Sequence, residues 1–333
     1  MPPNFIFGDS LVDAGNNNYI VSLSKANYPP NGIDFFGHQP TGRYTNGRTI
    51  IDILGQEMGL GGFVPPYMAP ETTGDAVMRG VNYASGGGGI LNQTGSIFGG
   101  RLNLDAQIDN YANSRHDLIA RHGEVEAASL LRGALFSVTM GSNDFINNYL
   151  TPIFSVPQRV TTPPVAFISA MIAKYRQQLT RLYLLDARKI VVVNVGPIGC
   201  IPYQRETNPS AGMACAEFPN QLTQAFNRRL RDPELGRRRP PRLALRLRRR
   251  LSHLLRHHRQ LQIPRVRGSG LGVLLRGRAV RRAGAVRADV AVLRGQVQVR
   301  VLGPDHPSEA ANALIARRIL DGSPVNVRQL IVT

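Results

Sequence analysis

Short β-branched or aromatic runs alternate with stretches of helical periodicity through the first two-thirds of the chain, the rhythm of βα units around a parallel sheet. Strands are predicted at 4–7, 80–84, 134–139 and 189–195. The last of these, from Lys189 to Val195, is a run of apolar residues suited to a strand buried on both faces. Between the last two strands, residues 164–186 place Phe167, Met171, Ile172, Tyr175, Leu179 and Leu182 at helical spacing, which predicts a crossover helix packed on the sheet. The stretches 20–46 and 59–76, the second rich in Gly and Pro, predict loops that decorate the sheet. Near the end, Ser308-Glu309-Ala310-Ala311 leads into a helix with Ala311, Leu314, Ile315 and Ile319 on one face, stopped at Asp321-Gly322.

The pattern fails between 228 and 302. Leu, Val and Ala there follow neither a helical nor an alternating period, and the stretch has no Phe, Tyr, Trp, Asn, Lys, Met, Thr or Cys. A segment with no aromatics and much like charge has difficulty offsetting its conformational entropy by burial, so poor order is predicted for it. The chain therefore divides into a core at 1–227, an anomalous segment at 228–302 and a C-terminal block at 303–333.

Charge sharpens that division. The formal net charge of +18 would ordinarily point to nucleic acid or an anionic membrane. Residues 228–300 carry 22 Arg against only Asp232, Glu234 and Asp289, so the excess lies in that one segment and the rest of the chain is close to neutral. At 333 residues the chain can bury a substantial core. No apolar run of 18 or more residues is present, and Met1-Pro2-Pro3 leads directly into the first strand, so neither a membrane span nor a signal peptide is visible. Cys200 and Cys215 could form a disulfide closing a short loop or remain two thiols.

Ser10 follows the first strand in Phe7-Gly8-Asp9-Ser10-Leu11, which puts its hydroxyl at the carboxyl end of a parallel sheet, where open α/β folds place their sites. Such a hydroxyl is a nucleophile if a base is near, and otherwise a turn or capping serine. The whole run from Phe5 to Asn17, Phe-Ile-Phe-Gly-Asp-Ser-Leu-Val-Asp-Ala-Gly-Asn-Asn, resembles the opening block of the GDSL esterase/lipases, a branch of the SGNH hydrolases with many plant members.

Three further blocks of that family are matched in order. Gly80-Val81-Asn82-Tyr83-Ala84-Ser85-Gly86-Gly87-Gly88-Gly89-Ile90 resembles the second, whose glycine N–H helps to bind the oxyanion; Gly86 takes that place, or Gly87 if the alignment slips by one. Gly141-Ser142-Asn143-Asp144 resembles the third, which makes Asn143 the other oxyanion donor. Donors aimed at the carbonyl oxygen suit ester cleavage because negative charge builds there. Of the histidines outside the arginine-rich segment, His38, His116 and His122 carry no family signature. His306, in Pro304-Asp305-His306-Pro307-Ser308-Glu309-Ala310-Ala311-Asn312, resembles the last block, where an Asp-x-x-His pair supplies the orienting carboxylate and the base.

Here the chain departs from its family. Gly303 stands at the Asp position, and Asp305, next to the histidine, is poorly placed to replace it. Losing the orienting carboxylate of a triad costs about 10⁴ in rate, so a weak enzyme is expected. The resemblance also implies a three-layer α/β/α fold with a flavodoxin-like parallel sheet, although no fifth strand is recognisable after 230. It further implies a small-molecule or lipid ester substrate, no metal or cofactor, and secretion, with which the sequon Asn92-Gln93-Thr94 is compatible. Cys200 and Cys215, with Gly196-Pro197-Ile198-Gly199-Cys200-Ile201-Pro202, follow the plant branch.

The composition of 228–302 is that of GC-rich coding DNA read out of frame, and the resemblance resumes abruptly at Pro304. A pair of compensating frame changes would account at once for the missing strand and the missing Asp. Two alternatives compete with a working esterase: an inactive family member that binds through the same cleft, or a nucleic-acid binder using Arg237-Arg238-Arg239 and Arg248-Arg249-Arg250. The second lacks aromatics interleaved with its charge to stack on bases.

Overall fold

The computed structural model describes residues 2–151, 156–208, 214–231, 301–302 and 305–321. The arginine-rich segment from 232 to 300 and Gly303 lie outside the described residues, so the predictions made for them rest on sequence alone.

Three parallel strands form the sheet: β1 (Asn4–Gly8), β2 (Leu135–Thr139) and β3 (Lys189–Val192), in the order β1-β2-β3. The segment expected as a strand at 80–84 runs along the free edge of β1, with Ile6 N–H donating to Val81 O and Tyr83 N–H to Ile6 O, but it forms single bridges rather than a full ladder. On its far side it meets Pro65 and Pro66, and Pro66 has no N–H with which to extend the pairing. Read across the sheet, 80–84, β1, β2 and β3 follow the flavodoxin-like sequence of positions, as expected.

The alternation of β1 divides the two helical layers. Phe5 and Phe7 face a large aromatic core with Tyr83, Tyr111 and Phe136, covered by α2 (Leu104–His122), α4 (Pro164–Leu184) and α5 (Glu217–Leu230). Ile6 faces the other way, against Val12, Ala84 and Ile51 of α1 (Ile50–Glu57). On that side α1 packs on α6 (Glu309–Asp321), and α3 (Glu124–Gly133) links α2 to β2. The result is the three-layer α/β/α arrangement. Each of the six residues predicted for the core stripe of α4 is buried.

Two expectations need correction. β3 ends at Val192, and its Ile190 and Val191 are only part-buried with Lys189 exposed, whereas the run to Val195 predicts burial on both faces. β3 is the edge strand among the described residues, so nothing described pairs with its outer side. Helix α6 buries Ala311 of the predicted stripe together with Asn312 and Ala316, whereas Ile315 and Ile319 are part-buried and Leu314 is exposed. The helix turns its small face inward because Asn312 donates to Arg48 O at 3.0 Å, a polar contact that apolar spacing does not register.

Candidate active site

Three loops leave adjacent parallel strands at their carboxyl ends: Asp9–Asn17 after β1, Ser85–Leu91 after the 80–84 segment, and Met140–Asp144 after β2. Gln107 of α2 fixes the end of β1, accepting from Gly8 N–H at 2.9 Å and donating back to Gly8 O at 2.8 Å. Ser10 stands immediately beyond. His306 arrives from the far end of the chain, in a two-residue strand (His306–Pro307) paired with Val301–Leu302, and its Nε2 lies 2.8 Å from Ser10 Oγ.

A clasp brings the histidine there. Glu309 accepts from the Arg48 backbone N–H at 2.9 Å and from Arg48 Nε at 2.7 Å, with a further contact to Nη2. Asn46 Oδ1 accepts from Glu309 N–H at 2.8 Å, and Asn312 holds Arg48 O. Gly47 has no room for a side chain, because a Cβ there would coincide with the Glu309 carboxylate. Replacing Glu309 with Ala leaves the part-buried Arg48 groups without their acceptor, a loss of about 1–3 kcal/mol. The expected result is a lower melting temperature together with a fall in kcat at nearly constant KM; urea titration and steady-state kinetics of the variant measure both.

Asp13 organises the glycine loop. Its carboxylate accepts from Gly15 and Asn16 N–H at 2.7 and 2.8 Å, and from Gly86 N–H at 3.0 Å. The Gly86 N–H is thus already engaged. Gly88, Gly89, Ile90 and Leu91 also donate, to Ser85 O, Asn103 and the two oxygens of Asp144. Gly87, at φ +80°, is the residue of this run whose N–H has no partner among the described residues.

Asn143 is held at both ends of its amide. It donates to Gly88 O at 2.9 Å and accepts from Asn147 at 2.6 Å, which leaves one Nδ2 hydrogen over. Asp144 joins this turn to the glycine loop through Ile90, Leu91 and Thr94, so the two segments are hydrogen-bonded to each other.

Electrostatics behind Ser10 favour uncharged groups. Burial pushes the Asp9 carboxyl up to about 7, against the opposing Leu11 N–H bond, and one of its oxygens has no hydrogen-bond partner. Burial raises Asp13 and Asp144 to about 6. Desolvation pushes the His306 imidazole down to about 4. Asp305 is raised to about 6 by burial, and its Oδ1 is unpartnered. Among the described residues, the bond to Ser10 is the one hydrogen bond of the His306 ring. The Tyr44 ring lies on the imidazole, 5.1 Å between centroids, and its hydroxyl donates to Ser24 O at 2.8 Å.

The structure therefore brings Ser10 and His306 together, places Asn143 and the glycine loop at neighbouring strand ends, and engages the Gly86 N–H elsewhere. His38 is exposed and bonded to Ile33 O, and His116 is exposed on α2. Sequence reasoning passes over Tyr44, Asp13 and the Arg48–Glu309 clasp. Only the Glu309 side of the clasp had a signal, its position three residues after His306.

Residues 5–232 match the model of the GDSL-like lipase/acylhydrolases, and the match stops as the arginine-rich segment begins. Among curated relatives in Arabidopsis thaliana, one GDSL esterase/lipase is 48% identical over 346 residues, covering 99% of this chain and 91% of its own length. A second is 43% identical over 343 residues, covering 98% and 87%. A third is 53% identical over 232 residues, covering 69% of this chain and 62% of its own length.

Proposed function

Because this chain belongs to the GDSL-like lipase/acylhydrolase family and is a serine ester hydrolase of that family, we propose that Ser10 is its nucleophile, His306 its base, and Gly87 and Asn143 its oxyanion donors. The 2.8 Å contact between Ser10 Oγ and His306 Nε2 carries the reading. Ser10 Oγ attacks the acyl carbon while Nε2 takes its proton, and the same proton passes to the departing alkoxide. Water, deprotonated by His306, then releases the acid and restores Ser10.

Gly87 takes the glycine role in preference to Gly86 because its N–H has no partner among the described residues and that of Gly86 serves Asp13. The remaining Nδ2 hydrogen of Asn143 is the second donor. Replacing Asn143 with Ala is expected to lower kcat by about 10²–10³ with little change in KM. Measuring kcat and KM separately checks this, since a loss confined to KM would make Asn143 a binding residue.

Among the described residues no carboxylate bonds to the imidazole; a tilted ring contact with Tyr44 and the clasp at Glu309 fix it. Its low pKa has a direct consequence. The base works as the neutral ring, so activity is lost only where the ring protonates; kcat/KM should hold level from pH 7 down to about 5 and fall near pH 4. A pH–rate profile with an acid limb at the ordinary histidine value of about 6.5 would contradict this.

Residues 305–321 complete the hydrolase begun by the first 231 residues. The Cys200–Cys215 disulfide favours an oxidising compartment and thus secretion. No described helix is long and apolar enough to cross a membrane. The test of the site is covalent: an alkyl phosphonate fluoride should block hydrolysis in step with formation of one adduct, on the peptide containing Ser10. Inhibition with the adduct elsewhere would remove the assignment.

A further inference from the structure

Beside the site the chain exposes apolar side chains that no packing explains. Val21 is 94% exposed, Leu23 83% and Ile97 48%. Scattered exposed aliphatics are ordinary, but these lie on two segments hydrogen-bonded to each other, which form a lip. Ser22 bridges Gly99; Leu23 N–H donates to Phe98 O at 2.8 Å, and Gly100 N–H to Val21 O at 3.0 Å. The lip is also uncharged, since residues 19–24 and 96–100 contain no acidic or basic side chain.

Both of its segments are tied to the chemistry. Ser24 accepts from the Tyr44 hydroxyl, and the Tyr44 ring lies on His306. From the other segment the Phe98 ring closes over Gly87, where an added Cβ would come within 2.7 Å of it. Whatever covers the lip therefore lies against the segments that pack on the base and the proposed oxyanion donor. A protein bound there would occlude the site, whereas a mass of substrate would feed it. A single dissolved ester gains little from side chains that point outward.

Building on the hydrolase reading, we propose that Val21, Leu23 and Ile97 form a lip that enters the surface of an aggregated, uncharged long-chain ester and delivers that surface to Ser10. Two arms test it. With all three residues changed to Ser, hydrolysis of a dissolved acetate ester should be unchanged, and hydrolysis of an emulsified long-chain triacylglycerol should fall about tenfold or more, from the apolar burial lost. Equal rates on the emulsion would overturn the proposal. In the second arm, the Ser10→Ala protein should sediment with zwitterionic phosphatidylcholine vesicles, which do not reward the charge of residues 228–300, and the triple Ser variant should not. Equal sedimentation of the two, or none of the Ser10→Ala protein, would overturn it. If the native protein cleaves neither ester, the hydrolase reading fails and the vesicle arm still decides the role of the lip.

Discussion

Replacing Ser10 with Ala is expected to bring ester hydrolysis down by at least about 10⁴ in kcat, and replacing His306 with Ala by a similar factor. In the proposed mechanism both groups act in the bond-making step. Without the serine oxygen no acyl-enzyme forms, and without the imidazole that oxygen keeps its proton. KM should move little in either variant, because neither side chain is asked to hold the ester before reaction. The fold should survive both changes, since Ser10 and His306 are only part-buried and the clasp at Glu309 remains. Circular dichroism and melting curves separate loss of chemistry from loss of structure.

The second large effect runs in the opposite direction. By the resemblance of the last block, Gly303 stands where the family is expected to place the carboxylate that orients the base, and no described residue accepts a hydrogen bond from the second nitrogen of His306. Introducing Gly303→Asp is expected to raise kcat by about 10²–10⁴, the range set by what a triad loses when its carboxylate is removed. A carboxylate there would hold one tautomer and stabilise the imidazolium formed during attack. The same change should lift the acid limb of the pH–rate profile above pH 4, because a nearby negative charge favours the protonated ring. Unchanged kcat with an unchanged acid limb would mean that residue 303 does not reach the imidazole.

The sequence carried the catalytic blocks because each is local: Gly8-Asp9-Ser10 and Gly141-Ser142-Asn143-Asp144 follow strands whose apolar runs announce them. The helix at 164–184 was equally plain from its spacing. What the sequence concealed was decided by contacts across the chain. Whether Gly86 or Gly87 has a free N–H depends on Asp13, 73 positions before Gly86. Tyr44 lies in a stretch that reads as loop, and nothing in its neighbours points to His306. The buried face of α6 was misread in part because Asn312, a polar residue, reaches Arg48, and β3 was misread because an apolar run does not reveal that, among the described residues, its strand lies at an edge.

The central claim is that Ser10 and His306 act as one unit, and its most direct test is kcat in the double variant with both residues changed to Ala. Residues that serve a single step lose their contribution together. The double variant should therefore be no slower than either single one. A double variant slowed by the product of the two single losses would show that the residues act independently and would contradict the account.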